Sequence, residues 1–356
     1  MRVRHTGDGL RVSDGDPRVK ARAVVRRLQE FDPPVEGRTK VLGFDGGTGP
    51  RTGPDPPRST HAGRARRRAT GRDVTDQAPH TTGTDGTDAD GGQQPRVHWA
   101  KHPVPDTDHH AAHITLSHPR LRNALTLTMY DQLERACEEI DADEEVRLTV
   151  VRGAGGRAFA AGTDIREFRS VTSGAHGVAY ERQVGRAVDR LAGLRMPAVA
   201  VVEGAAVGAG LVLTAACDLV LCTPDAVFGA PIGRTLGNCL SPTAIARLYA
   251  GLGRARTLRA LLTARLITAA EAHEAGFVTE IVAPDRLGVR IDEVSADIAR
   301  CAPLTLAALK EADRRVLAAA DPGHADDLYT RCYGSQDFRE GVTAFLARRP
   351  AEWQGR

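Results

Sequence analysis

The chain has 356 residues, and 48 Lys and Arg against 45 Asp and Glu give a formal net charge of +3. Residues 1–95 hold 17 basic and 13 acidic side chains, so the remaining body is close to neutral. That balance argues against nucleic acid or an acidic membrane as the partner of the folded part. No apolar run approaches the ~20 residues that are needed to cross a bilayer.

The N-terminal segment, residues 1–95, differs in composition from the rest. It is rich in Gly, Pro, Thr, Asp and Arg, and Phe31 and Phe44 are its only aromatic residues. Such a segment buries too little apolar surface to offset the entropy of ordering, so we predict a disordered, low-complexity extension. The alternative is that the natural start lies near Val74 or later. The basic run Arg64–Arg68 is interpreted as solvated charge rather than as a nucleic-acid contact.

Six cysteines lie in the chain, without a CxxC pair and without metal-ligand spacing to histidine. The sequence also has no apolar signal segment at its start. This pattern indicates reduced thiols in a cytoplasmic protein and predicts no metal site.

From residue 96 onwards, strand patterns precede helix patterns repeatedly. His109–Pro119 and the segment before it predict a hairpin, and Thr126 or Thr128 would cap a helix with apolar residues at helical spacing. This order predicts an α/β fold with helices over the sheet faces. The later elements are a strand at Val146–Gly155, a strand-to-helix turn at Arg157–Phe168, a helix from about Val178 to Leu194, a strand pair in Leu219–Pro231, and helices from Ser295 to the end.

The stretch Pro197–Asp218 is predicted to be a buried strand that passes through glycines into an apolar helix. Ala161–Asp164 has the same design, with small residues between a strand and a helix. A helix start offers unpaired N–H groups, and two of them converging on one oxygen form an oxyanion hole. The alternative is that both segments are only tight turns.

A dinucleotide site is a rival interpretation of Gly204, Gly208 and Gly210. Their spacing does not give the GxGxxG order, and no GKS or GKT triplet occurs in the chain. A nucleotide-binding oxidoreductase is therefore only the third hypothesis.

Several segments together resemble a known family. In chain order they are HPRLRNALTLTMYDQL, AFAAGTDIREF, PAVAVVEGAAVGAGLVLTAACDLVLC, AVFGAPIGRTLG, LLTARLITAAEAHEAGFVTEIVAPDRL and DFREGVTAFLARRPAEWQGR. With these segments, the sequence over about residues 96–356 is similar to the enoyl-CoA hydratase/isomerase (crotonase) superfamily. The resemblance implies a crotonase-like spiral of ββα units over 96–290 and a C-terminal helical region over 291–356 that helps to form a homotrimer or hexamer. It also implies an acyl-CoA thioester substrate, so that coenzyme A is part of the substrate and no separate cofactor is expected.

The same resemblance assigns the binding residues. By motif match, the oxyanion hole falls on the backbone N–H groups of Thr163 and Ala209, the latter at a position where family members usually have glycine. The coenzyme A portion would lie along the backbone of two segments, with Arg122 as a candidate for a phosphate contact. The candidate binding residues are Arg122, Ala124, Ala158, Ala161 and Gly162.

The sequence departs from the family where hydratases carry two catalytic glutamates. Val212 and Ile232 stand at those positions, and neither can move a proton. Three polar side chains of the following loop are the remaining catalytic candidates. Arg234 could clamp an acidic acyl group, Asn238 could orient a water or carbonyl, and Cys239 could act as nucleophile or proton carrier. Ser241 is the fourth polar candidate of that loop.

Four more polar residues follow the first turn. Asp164 is expected to cap a helix. Glu167, Tyr180 and Glu181 are expected at the surface, from where they could reach the acyl end.

Two functions remain open: an enoyl-CoA hydratase or isomerase without an assigned acid or base, and an impaired acyl-CoA-binding or assembly subunit.

Overall fold

A computed structural model describes residues 94–318, 323 and 325–356. The predicted extension, residues 1–95, lies outside the described residues apart from its last two. Within the described ranges, no helix combines the length and the apolar character that a membrane span requires.

The described residues alternate between strands and helices, as predicted. The strands are β1 Arg96–Pro103, β2 His110–Ser117, β3 Val146–Gly153, β4 Ala158–Ala160, β5 Ala198–Val202, β6 Ala205–Val207, β7 Leu219–Cys222, β8 Val227–Gly229, β9 Ile267–Thr268 and β10 Glu280–Ile281. The α-helices are α1 Leu127–Ala142, α2 Gly174–Ala192, α3 Ala209–Ala215, α4 Ile232–Thr235, α5 Pro242–Leu252, α6 Arg254–Leu262, α7 Ala269–Glu274, α8 Leu287–Ala299, α9 Pro303–Ala318, α10 Asp326–Tyr333 and α11 Gln336–Leu346.

The strands form two sheets. The six-stranded sheet has the order β1-β2-β3-β5-β7-β10, and β1 and β2 form the predicted antiparallel hairpin with Arg96 opposite Ser117. From β2 onwards, neighbouring strands of this sheet are parallel. The second sheet has the order β4-β6-β8-β9, and β4, β6 and β8 are parallel. The carboxyl ends of these three strands therefore meet at one edge, which is where open α/β sheets bind ligands.

The stretch Pro197–Asp218 differs from its prediction in one respect. It holds two strands in different sheets, β5 and β6, instead of one strand. Gly204 stands between them with a φ of 65°, and a side chain there would overlap Arg157 O. This glycine turn moves the chain from one sheet to the other. The predicted strand pair in Leu219–Pro231 is likewise divided between the two sheets, as β7 and β8.

Helix α1 follows the predicted pattern. Thr126 is its N-cap, and the side chain of Thr126 accepts a hydrogen bond from Met129 N at 3.2 Å. Thr126 rather than Thr128 therefore begins the helix. The apolar face of α1 is buried in the main hydrophobic core through Met129, Leu133, Cys137 and Ile140.

Helices α2 and α10 pack against each other at two glycines. A Cβ at Gly174 would lie 2.6 Å from Thr330 O, and a Cβ at Gly177 would lie 2.7 Å from Tyr333 Cδ2. Both distances are shorter than a normal van der Waals contact, so only glycine allows the helices to approach this closely. The spacing of three residues places both glycines on one face of α2.

We expect Gly177→Ala to lower the free energy of unfolding by about 1–3 kcal/mol, because the added methyl group overlaps the Tyr333 side chain. Gly185→Ala in the same helix is the matched control, since a Cβ at Gly185 meets no atom within 4 Å. The control should be neutral or stabilising by about 0.5–1 kcal/mol, which is the helix preference for alanine over glycine. Urea unfolding measures both values, and equal effects of the two substitutions would contradict the close packing.

Candidate active site

Two strand-to-helix turns lie against each other at the shared edge of β4, β6 and β8. A Cβ at Gly208 would lie 3.5 Å from Gly162 Cα, and a Cβ at Gly210 would overlap Ala160 O. Gly208 has φ 57° and ψ −117°, a conformation that is open mainly to glycine. The structure therefore brings together the two segments that the sequence singles out.

Each turn presents a backbone N–H group without an acceptor among the described residues. Leu125 N donates to Gly162 O and Asp164 N donates to Leu125 O, both at 2.8 Å. Thr163 lies between Gly162 and Asp164, and its own N–H group takes part in neither bond. Ala209 is the first residue of α3, where the N–H group has no acceptor within the helix. Thr163 and Ala209, the two predicted oxyanion-hole residues, thus lie in adjacent turns.

The Thr163 side chain is fixed by two tyrosines. Its Oγ1 lies 2.7 Å from the Tyr130 hydroxyl and 2.7 Å from the Tyr180 hydroxyl. Burial raises the pKa of both tyrosines, so both stay neutral. The prediction of Tyr180 at the surface is wrong, because α2 turns this side chain inwards and leaves it 8% exposed. Tyr130 did not emerge from the sequence, where it is one more member of the buried face of α1.

Glu181 is the second residue whose position in the structure differs from the prediction. Its Oε1 accepts a hydrogen bond from the Tyr333 hydroxyl, and Asn238 Nδ2 donates to that hydroxyl at 3.1 Å. Burial raises the pKa of Glu181 to about 7, although the hydrogen bond from Tyr333 acts in the opposite direction. The side chain is half-buried instead of lying at the surface, because α10 covers this face of α2.

Aromatic rings connect the first turn to the C-terminal helices. Phe168, in the 3-10 turn after Thr163, packs on Tyr180 with a ring-centroid distance of 4.9 Å. Tyr333 of α10 packs on Phe338 of α11 at 4.8 Å, and Phe168 also contacts Phe338 at 5.7 Å. These rings form one buried cluster, so the position of Glu181 depends on helices far along the chain.

The polar candidates of the predicted loop separate into two places, because Arg234 lies in the short helix α4 and the others follow it. Asn238 and Cys239 lie at the aromatic cluster, and Asn238 Oδ1 is buried without a hydrogen bond to a described residue. Burial raises the pKa of Cys239, and a hydrogen bond with the Cys332 side chain adds to the rise, so this group is a protonated thiol at neutral pH. Arg234 lies elsewhere, because its exposed guanidinium donates to Thr263 O at 2.6 Å.

Four further residues that the sequence singles out have structural roles. Asp164 caps the 3-10 turn as expected and pairs with Arg166, with Nε 2.9 Å from Oδ2. Ser241 caps α5 by accepting a hydrogen bond from Ala244 N at 3.0 Å. Val212 is buried in the main core, and Ile232 packs against that core.

The two segments predicted to bind coenzyme A run beside each other. Ala161 N donates to Arg122 O at 3.1 Å. The Asn123 side chain donates to Ala158 O at 2.8 Å and accepts from His118 N at 3.0 Å. These bonds hold the backbone of residues 122–124 against that of residues 158–162. Ala124 and Ala158 are buried in this arrangement.

Comparison with known proteins gives a consistent result. The sequence pattern of the family described as enoyl-CoA hydratase/isomerase matches residues 106–356. A probable enoyl-CoA hydratase of Rhizobium meliloti (strain 1021) is 32% identical over 249 residues, which are 68% of this chain and 94% of that protein.

Solved structures agree with the sequence comparison. An enoyl-CoA hydratase from Mycobacterium avium subsp. paratuberculosis K-10 has a TM-score of 0.61 and 28% identity, and the match covers 72% of this chain and 98% of that one. A methylmalonyl-CoA decarboxylase in complex with 2-nitronate-propionyl-CoA has a TM-score of 0.65 and 25% identity, covering 74% of this chain and 100% of that one.

The family match, residues 106–356, includes every strand except β1, both turns and the C-terminal helices. It confirms the α/β architecture predicted from the resemblance, and none of these relatives is described as a nucleotide-binding oxidoreductase. The chain belongs to the enoyl-CoA hydratase/isomerase (crotonase) superfamily.

Proposed function

We propose that the protein binds an acyl-CoA thioester and polarises its carbonyl oxygen with the N–H groups of Thr163 and Ala209. The observation that carries this proposal is the pair of unpartnered N–H groups on two turns in direct contact. Such donors stabilise the negative charge that develops on the oxygen when an enolate forms. The nominal reaction is the hydration or isomerisation of an enoyl-CoA.

The surroundings of each donor favour this role. The Ala209 N–H lies at the start of α3, where the helix dipole adds positive potential. The hydrogen bonds between the Thr163 side chain and the hydroxyls of Tyr130 and Tyr180 fix the first turn before a substrate arrives. Donors that are already fixed need no reorganisation during the reaction, which is the basis of their catalytic value.

The binding of coenzyme A is supported by the paired backbone segments 122–124 and 158–162. They adjoin the first turn, so a thioester at Thr163 would have its coenzyme A portion beside them. The structural relative with 2-nitronate-propionyl-CoA bound holds an acyl-CoA derivative in the same fold.

A second function, an impaired acyl-CoA-binding or assembly subunit, rests on Val212 and Ile232. By the family resemblance these residues replace the two glutamates of hydratases, and both pack on apolar core. The two functions share the acyl-CoA site and differ in turnover. Purified protein with crotonyl-CoA, followed by thioester absorbance, separates them, since binding without turnover would favour the second.

Ala209→Pro tests the oxyanion hole, because proline at the first helical position removes the N–H group and otherwise suits a helix start. Loss of one such donor should lower kcat by about 10²–10³-fold. Ala209→Gly, which keeps the N–H group, is the control and should retain activity within a few fold. Full activity of a well-folded Ala209→Pro variant would refute the proposed role.

We also infer self-association through the C-terminal helices. In α9, Leu304 is 84% exposed, Leu309 63% and Val316 71%, although large apolar side chains are usually covered. The family resemblance implies a trimer or hexamer that would bury this surface.

The double substitution Leu309→Glu with Val316→Glu should shift the protein to a smaller species in size-exclusion chromatography with light scattering, because charges would enter an apolar contact. Leu262→Glu is the control, since Leu262 is 80% exposed on α6, outside the C-terminal region. A monomeric wild type, or dissociation by the control alone, would contradict the inferred contact.

A further inference from the structure

One carboxyl group of the aromatic cluster that packs on the first turn has no role in the functions considered so far. Glu181 lies on the same face of α2 as Gly174 and Gly177, at spacings of seven and four residues. The two glycines allow α10 to approach, and Tyr333 of α10 then donates its hydroxyl hydrogen bond to Glu181 Oε1. The packing that covers the carboxyl also fixes its direction.

Hydrogen bonds and a ring contact connect Glu181 to the first turn. Tyr180, the residue before Glu181 on α2, has its hydroxyl 2.7 Å from Thr163 Oγ1. Tyr333, whose hydroxyl donates to Glu181, packs its ring on that of Tyr180 with a centroid distance of 5.9 Å. The charge of Glu181 also adds to the raised pKa of Tyr130 and Tyr180, the two hydroxyls on Thr163. The carboxyl therefore belongs to the cluster that surrounds the residue with the first N–H donor.

Two other carboxyl groups follow the first turn, and both are less suited to proton transfer. Asp164 is committed to Arg166, which holds it ionised by hydrogen bonds to both carboxylate oxygens. Glu167 lies on the 3-10 turn, and burial raises its pKa, but the Arg166 charge opposes this rise. Glu167 is therefore the rival that an experiment must separate from Glu181.

We propose that Glu181 is the catalytic residue that moves the proton on the acyl chain, with Tyr333 and Asn238 as positioning residues. This inference rests on the proposed acyl-CoA function of the Thr163 and Ala209 turns. It places the acid–base group on helix α2, away from the positions of Val212 and Ile232.

A single carboxyl group suits a proton transfer between two carbons of one substrate. The Glu181 carboxylate takes the proton from Cα of a 3-enoyl thioester, and the electron pair of that C–H bond moves to the thioester oxygen as a dienolate. The Glu181 carboxylic acid then returns the proton to Cγ, which gives the 2-enoyl thioester and restores the carboxylate. No water and no second reactant is consumed.

The groups that face Glu181 leave it as the one that titrates near neutral pH. Burial raises the pKa of each neighbouring phenol and of the neighbouring thiol, so these groups are neutral at pH 7. Among the described residues, no titratable group of this cluster that faces Glu181 is a cation. They are Tyr130 of α1, Tyr180 of α2, Tyr329 and Tyr333 of α10, and Cys239 of the loop after α4.

Glu181→Gln tests the assignment with vinylacetyl-CoA as substrate, followed by the absorbance of the crotonyl-CoA product. Gln keeps the shape of the side chain and the acceptor for Tyr333 but cannot carry the proton. We expect kcat to fall by about 10²–10⁴-fold, the usual effect of losing a general acid or base, while the Kd of butyryl-CoA stays within a few fold. Glu167→Gln is the matched control and should retain activity.

The pH profile gives a second test that does not depend on the Gln variant. Wild-type kcat/KM should rise with pH and level off above about 7, because the base form of Glu181 is needed and burial raises its pKa to about 7. Tyr333→Phe removes a hydrogen bond that favours the charged form, so the rise should move to higher pH.

The outcomes separate the two proposals. Loss of activity in Ala209→Pro but full activity in Glu181→Gln would overturn the role of Glu181 and leave the oxyanion hole intact. Loss of activity in Glu167→Gln alone would give the role to Glu167. Wild-type protein that binds butyryl-CoA, yet neither converts vinylacetyl-CoA nor exchanges its α-protons in D₂O, would refute both the enolate chemistry and the proton transfer.

Discussion

The contact between two backbone turns is the constraint on which the rest of this protein depends. Parallel pairing of β4 and β6 brings both turns to one edge of the second sheet, and Gly210 lets α3 begin directly against Ala160 O. A side chain at Gly210 would separate the turns and with them the N–H groups of Thr163 and Ala209. Backbone groups, whose positions are set by strand pairing, are thus the most precisely held polar groups of the proposed site.

A second close contact, between α2 and α10, decides which side chains surround that edge. Gly174 and Gly177 remove the bulk between the helices, so Tyr333 reaches Glu181. The turn contact and the helix contact are joined by the hydrogen bond between Thr163 and Tyr180, since Tyr180 precedes Glu181 on α2. The proposed donor of the oxyanion hole and the proposed proton carrier therefore belong to one connected network.

The electrostatics of this network differ from those of a structural ion pair. Elsewhere, carboxylates such as Asp164 lie beside an arginine, and their charge is stabilised. Glu181 accepts a hydrogen bond from Tyr333 and lies among further phenols and a thiol, and none of these groups is charged at neutral pH. Its carboxyl group is therefore balanced between its two protonation states, which is the condition under which a carboxyl exchanges protons most effectively near pH 7.

The sequence by itself determined the family, the α/β order of elements and the two turns, because glycines and small residues between a strand and a helix are local signals. It also predicted that Asp164 caps a turn and that Val212 and Ile232 bring no acid to the site. Only the tertiary structure decided the places of Tyr180 and Glu181. Their burial depends on α10, more than 140 residues further along the chain, and on two glycines whose purpose appears only when that helix packs on them. Local patterns describe an element and its exposed or buried face, whereas the partner that covers a polar side chain is fixed by long-range packing.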